Sequence, residues 1–441
     1  MQIGVNSPLK NRIDAGALFT VMALWGLHLA YPMNILQNAR WMLLGYAVPV
    51  YFFFTIGLIT SAAVGALALK RHWLRWELLW WSLPLICLPG LLSSADPLWS
   101  ARQGMSWIVR GVLPGGVIFV TTPRQRANSI ILCWIYPIVI AASLLGLNEI
   151  YTSHNPLWDD FNHSIQMTSQ PANPFYRPTD AILGSLPPRG TQGNRIPYAS
   201  TLIGFLPLGI WLLKYKKRFY AANLFAVGAL ASILLLAQVR STWLAILATL
   251  LLMPAVGLLR TRREAIRIIA GALLCIGVFM AIPKTHALLG SRLNSFHLTQ
   301  TSIKERLAVL HTAAVLKDHW LLGVGFGQFP MACKSYYPPA MIWLGTPDNQ
   351  YLRWAIENGI PSTILFAVFL IGLVRAGWNK ILRMKDVQEA DFYKSLLVGW
   401  IGVCVTFLFF DGFYWGACNM TFWSLLGIFA TCLKPESATL Q

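Results

Sequence analysis

The chain has 441 residues, of which 56% are hydrophobic and 12% charged. Soluble proteins carry about 25% charged residues, so these proportions exclude disorder, a coiled coil, a collagen-like chain and an ordinary cytosolic enzyme. The charge leans basic, 35 Lys and Arg against 17 Asp and Glu, a formal net charge of +18. In so apolar a chain that excess bears on orientation in a membrane and not on nucleic acid.

In chain order, the polar start MQIGVNSPLKNRIDAG lacks the pattern of a cleavable signal peptide. A bilayer-crossing helix needs about 20 mostly apolar residues, and on that measure the chain is expected to form about twelve spans. They fall at 16–36, 42–69, 76–95, 105–121, 128–149, 196–214, 219–239, 241–259, 264–283, 351–377, 394–410 and 412–433. The second is long, and the fourth is short and carries Arg110. The expected fold is an all-α polytopic membrane protein, one integral domain over residues 1–441.

The alternation of spans sorts the loops. KRHWLR, KYKKR and RTRREAIR fall on one side together with Lys10, Arg124, Lys380, Lys394 and Lys434. The positive-inside rule places that side, and both termini, in the cytoplasm. Two outside segments are long, 150–195 and 284–350, and loops beyond about 15 residues are usually functional. The second is expected to be folded and helical, since Ile303, Leu307, Leu310, Ala314 and Leu321 recur near helical spacing before the break at GVGFGQFP.

The outer side carries the informative polar residues. Arg240 sits at a tight outside turn, in LLLAQVRSTWLAIL, at membrane level. A charge there is costly and usually faces a cavity or a partner, or it snorkels to the interface. Arg306 lies in the large loop, and Arg189 and Arg195 just before the sixth span. Arginine is a permanently charged fork of donors suited to phosphate, so the set fits a lipid-linked diphosphate. Asp348 precedes the tenth span as a helix cap or a base. Asp411 lies between the last two spans as a turn residue or an arginine partner, and Glu357 lies a turn or two into the tenth span. His311 and His319 are too far apart for a same-face metal pair, and no HExxH motif occurs, so no zinc-type site is expected. GVGFG lacks the Lys and Ser/Thr of a phosphate loop and reads as a turn. The seven cysteines (Cys87, Cys133, Cys275, Cys333, Cys404, Cys418, Cys432) follow no CxxC pattern and read as packing residues. The many span-flanking aromatics fit interfacial belts.

Four stretches resemble the O-antigen ligase and O-antigen polymerase superfamily of the bacterial inner membrane. RGTQGNRIPYASTLIGFLPLGIWLL resembles its Arg-Gly entry to a span, and AQVRSTWLAIL its short outside turn bearing an Arg. SIKERLAVLHTAAVLKDHWLLGVGFGQF resembles the Arg-led helix that ends in Gly-x-Gly-x-Gly, and DNQYLRWAIENGIPS the helix after the large loop. The acid at Asp411 also has a counterpart. One departure stands out: the family reads His-Asn where this chain reads Asp348-Asn349.

The resemblance implies a metal-independent, inverting GT-C-like glycosyltransferase with no cofactor. Its donor would be an undecaprenyl-diphosphate-linked glycan, taken on the periplasmic side. The acceptor would be lipid A–core for a ligase, or another glycan for a polymerase. On this reading Arg240 and Arg306 steady the departing diphosphate, and Asp348 takes the acceptor proton in place of the family His. Arg189, Arg195, His311 and Asp411 bind substrate or position these groups. Membrane lipids are the other partners. The competing class is a transporter of lipid-linked glycans, for which inverted repeats and midplane polar groups would be expected. Arg110 is the one clear mid-span charge and no repeat is evident.

Overall fold

The computed structural model describes residues 40–43, 46–49, 75–122, 124–130, 136–152, 154–155, 195–237, 239–264, 311–336 and 348–435, with positions 266, 270, 274 and 277 besides. Within these residues the chain is mainly helical, with connecting turns and a short ladder of Arg40–Leu43 against Tyr46–Pro49, antiparallel with Arg40 opposite Pro49. The ladder occupies the start of the expected 42–69 span, so no continuous helix begins there. The expected spans at 16–36 and most of 264–283 lie outside the described residues.

Six described helices are long and apolar enough to cross a membrane. They are α1 (Arg75–Ser93), α4 (Arg195–Tyr215), α5 (Lys217–Leu236), α7 (Gln350–Ile381), α8 (Val387–Phe409) and α9 (Gly416–Leu433). Two shorter ones are α3 (Tyr136–Thr152) and α6 (Arg240–Ala255). Between α1 and α3 runs α2 (97–121), started by Pro97 and by Asp96, whose side chain accepts from Trp99 N at 2.9 Å. The expected fourth span is therefore longer than its apolar run.

α2 contains a π-helical turn, Ile108–Val112, which carries Arg110. A π turn frees carbonyls from the regular ladder. Here Trp80 Nε1 donates to Val112 O at 2.9 Å and Asn419 Nδ2 to Trp107 O at 3.1 Å. Both donors come from neighbouring helices, so the wide turn is satisfied by tertiary structure. α9 is the central helix, with 94% of its apolar stretch buried against 28% for α1 and α7. The outward apolar residues of α7, such as Leu365, Val368 and Ile371, are what a lipid-facing helix requires.

Adjacent helices alternate in direction, which gives the bundle two chemically distinct ends. At one, the buried Asp391 gathers Lys214 (3.1 Å), Arg260 (3.2 Å) and Lys394 (3.6 Å), and the Tyr215 hydroxyl donates to it at 2.6 Å. Arg124 holds Glu389 through two 2.7 Å bonds. Lys434 donates to Val120 O at 2.9 Å and Thr122 O at 2.7 Å, closing the end of α2. This is the basic end, where KYKKR and the start of RTRREAIR lie.

The opposite end joins the start of α7 to the end of α8, with the Tyr351 hydroxyl donating to Cys404 O at 2.8 Å. α6 runs antiparallel to α8. Gly257 packs toward Lys394 near the start of α8, and Gly402 packs on Thr249 further along. The first residue of α6, Arg240, therefore stands at the end of the bundle opposite the basic loops.

Candidate functional site

The opposite end is organised by a broken helix. α7 departs from helical geometry at Gly359 (φ 80, ψ 165), two residues before Pro361. Proline removes a donor and clashes with the preceding turn, and the residue before it avoids helical geometry. The first part of α7 thus ends with carbonyls that lack intrahelical partners.

The GVGFG segment supplies the missing donors. Val324 N donates to Ile356 O and Gly325 N to Glu357 O, each at 2.9 Å, and Ile360 N returns to Trp320 O at 2.7 Å. Gly323, Gly325 and Gly327 all have positive φ, 75, 102 and 79. The segment must approach the α7 backbone closely in a left-handed conformation, which glycine adopts without penalty. The glycines serve as a backbone brace for a broken helix, a more specific role than the turn read from sequence.

Beneath the brace lies a buried ionic hub. Arg353, Glu357 and Asp411 are 4%, 1% and 4% exposed. Arg353 Nε donates to Glu357 Oε1 at 3.0 Å, and Arg353 Nη1 to Asp411 Oδ2 at 2.6 Å. The guanidinium lies 3.3 Å over the Tyr414 ring, a cation–π contact strengthened by desolvation. The Tyr414 hydroxyl donates to Glu357 Oε2 and accepts from Gly327 N. Phe329 N reaches Glu357 Oε1 at 3.4 Å. Glu357 therefore holds the glycine segment directly by its backbone carbonyl and, through the Tyr414 hydroxyl, by its carboxylate. Burial pushes the Asp411 carboxyl above the usual carboxylate range, with the Arg353 guanidinium opposing the rise.

An aromatic wall encloses the hub. Trp107, Trp354 and Phe326 pack with centroids 5.0–6.0 Å apart, and Phe413 stands edge-on to Trp354 at 5.6 Å. It excludes water, so the charges interact in a low-dielectric setting.

The residues singled out from sequence distribute unevenly about this frame. Asp348 is exposed and has φ 44, while Asn349 caps α7 by accepting from Leu352 N at 3.0 Å. The cap role weighed for Asp348 thus falls to Asn349. A non-glycine residue at positive φ costs of order 1–3 kcal/mol and is concentrated at functional sites. Arg240 starts α6 and Arg195 starts α4, both partly buried. His311 is exposed, beside the 3-10 turn Thr312–Val315. Asp411 bonds Arg353. Arg189 and Arg306 lie outside the described residues. Among the described residues, no three His, Cys, Asp or Glu side chains gather as metal ligands would.

Sequence reading passed over Arg353 and Tyr414, and Arg110 is not alone as a charge within a span, because α7 starts at Gln350 and carries Arg353 one turn inside. An Arg and a Glu four apart on an apolar helix share one face, and intramembrane charges occur in pairs. That spacing was the available signal.

Fold and site together define a polytopic helical membrane protein with a braced, discontinuous helix and a buried ionic hub at the end opposite its basic loops. Residues 225–367 match the model of the O-antigen ligase family. That match covers about a third of the chain and takes in the stretches AQVRSTWLAIL and DNQYLRWAIENGIPS that carry the resemblance. No curated protein matches the chain.

Proposed function

We propose that the protein is an O-antigen ligase-like glycosyltransferase of the bacterial inner membrane. It moves a glycan from undecaprenyl diphosphate to a hydroxyl of lipid A–core on the periplasmic side. The observation that carries this reading is the family match over 225–367, which spans Arg240, Arg306 and Asp348. Its support in the packing is that Arg240 and Asp348 stand at one end of the bundle, opposite the basic loops. The basic end is then cytoplasmic, with both chain termini.

The chemistry follows from the charges. As the bond from the anomeric carbon to the diphosphate oxygen breaks, its electron pair leaves with the phosphate. Arg240 and Arg306 stabilise that charge through donors suited to phosphate, and Arg189 and Arg195 bind substrate. Asp348 takes the acceptor hydroxyl proton as the new bond forms on the opposite face, giving inversion without a metal. His311 contacts the substrate from the large loop, and Asp411 acts through Arg353.

A second reading, transport of a lipid-linked glycan, draws on the break at Gly359, since discontinuous helices are common at transporter binding sites. Here the break is filled by the GVGFG backbone, which favours transfer. The test is deletion of the gene followed by gel analysis of surface polysaccharide. Bare core with accumulated lipid-linked polymer supports the ligase. Core bearing a single repeat supports the alternative, a polymerase using the same donor. An unchanged ladder overturns both.

A further inference from the structure

The hub contains two carboxylates and one guanidinium. Glu357 and Asp411 each bond Arg353, and among the described residues no other charged side chain pairs with any of the three. The remaining titratable neighbours are the Cys87 and Cys333 thiols near Glu357, the Cys418 thiol near Asp411 and the Tyr414 hydroxyl. Thiols and phenols are ordinarily neutral at pH 7. With both acids ionised, the hub would hold a net charge of −1 with all three residues at most 4% exposed. An uncompensated buried charge is costly enough that such a group takes up a proton instead.

We propose that the Arg353–Glu357–Asp411 hub is a proton-binding site, holding one proton on its carboxylates at neutral pH, with Asp411 as its principal carrier. Glu357 is the better-served anion, accepting from Arg353, Tyr414 and Phe329 N, whereas Asp411 accepts from Arg353 and from its own backbone N–H. The proton therefore resides on Asp411 while Glu357 and Arg353 form the ion pair. The raised affinity of the Asp411 carboxyl agrees with this placement. One consequence reaches the proposed chemistry: a hub already carrying its proton is a poor general base, which leaves that task to Asp348. The proton itself does not depend on the identity of donor or acceptor.

The test is infrared spectroscopy of the full-length protein in lipid nanodiscs at neutral pH, reading the C=O stretch of protonated carboxyls. The wild-type protein is expected to show a band that Asp411→Asn removes. Charge balance makes the same demand of Glu357→Gln, since a lone Asp411 opposite Arg353 ionises. Arg353→Gln is expected to strengthen the band toward twofold, both acids now being protonated. The exposed Asp318→Asn serves as the unchanged control. No protonated-carboxyl band in the wild type, or a band unaltered in both single-acid variants, overturns the proposal. If one variant does not fold, the other still decides. Polysaccharide phenotype plays no part in the readout, so failure here and failure of the transferase reading are separately visible.

Discussion

Arg353 Nη1 lies 2.6 Å from Asp411 Oδ2, a bond across 58 residues that ties the first turn of α7 to the link between α8 and α9. Arg353 also holds Glu357 one turn further on. One side chain thus joins the broken helix, the glycine brace and the last two helices. Replacing Arg353 with Ala breaks the buried Arg353–Glu357 ion pair and the bond to Asp411 together, a loss of about 3–5 kcal/mol. A clear fall in the thermal midpoint in detergent is expected, and Arg353→Lys should recover part of it. An unshifted midpoint for Arg353→Ala would show that the hub contributes nothing to stability.

The brace makes its own prediction. Gly325 has φ 102, and a Cβ there would lie 2.6 Å from Ser100 Oγ and Ser94 Cβ. Gly325→Ala combines strain with overlap, at a cost of about 1–3 kcal/mol for the backbone alone. Limited proteolysis should open the 311–336 region faster in this variant than in wild type. Equal cleavage rates would remove the brace from the account.

On the proposed mechanism, Arg240→Ala and Arg306→Ala abolish transfer while the protein still inserts. Removing a donor from charge stabilisation costs about 100–1,000-fold. Transfer in reconstituted vesicles and membrane abundance are measured together. Near-normal transfer by either variant would dismiss the diphosphate clamp.

Asp348 separates chemistry from architecture, because Asn349 caps α7. Asp348→Ala should fold with wild-type stability and lose most transfer, whereas Asp348→His should keep much more. Full activity in the Ala variant excludes Asp348 as the base. Asn349→Ala, in contrast, should cost about 0.5–2 kcal/mol of stability through the lost cap.

Much of the architecture was legible in the residues themselves. The long apolar runs from 351 onward appear as α7, α8 and α9, because about 20 apolar residues in a bilayer have few alternatives to helix. The loops KYKKR and RTRREAIR did predict a shared end, since alternation of spans fixes sidedness. The strand ladder at 40–49 pairs near neighbours in sequence and was hidden by the apolar run counted as a span, whereas the π turn at 108–112 was not legible because it depends on partners distant in sequence. Trp80 and Asn419 are what satisfy the π turn.

The candidate site divides the same way. Asp411 was identified as an acid suited to holding an arginine, but the sequence offers no means of choosing which. Arg353 was missed because it lies in a span counted by its apolar residues, and the GVGFG run read as an ordinary turn. By itself the sequence determined that the chain is an apolar helical membrane protein, which family its motifs resemble, and which side bears its positive charge. These are properties of composition and local periodicity, summed along the chain. Tertiary structure alone decided that Gly323, Gly325 and Gly327 brace the break at Gly359, and that Arg353, Glu357, Asp411 and Tyr414 form one buried hub. Bonds between residues tens of positions apart arise only when packing brings their elements together, and no local pattern records them.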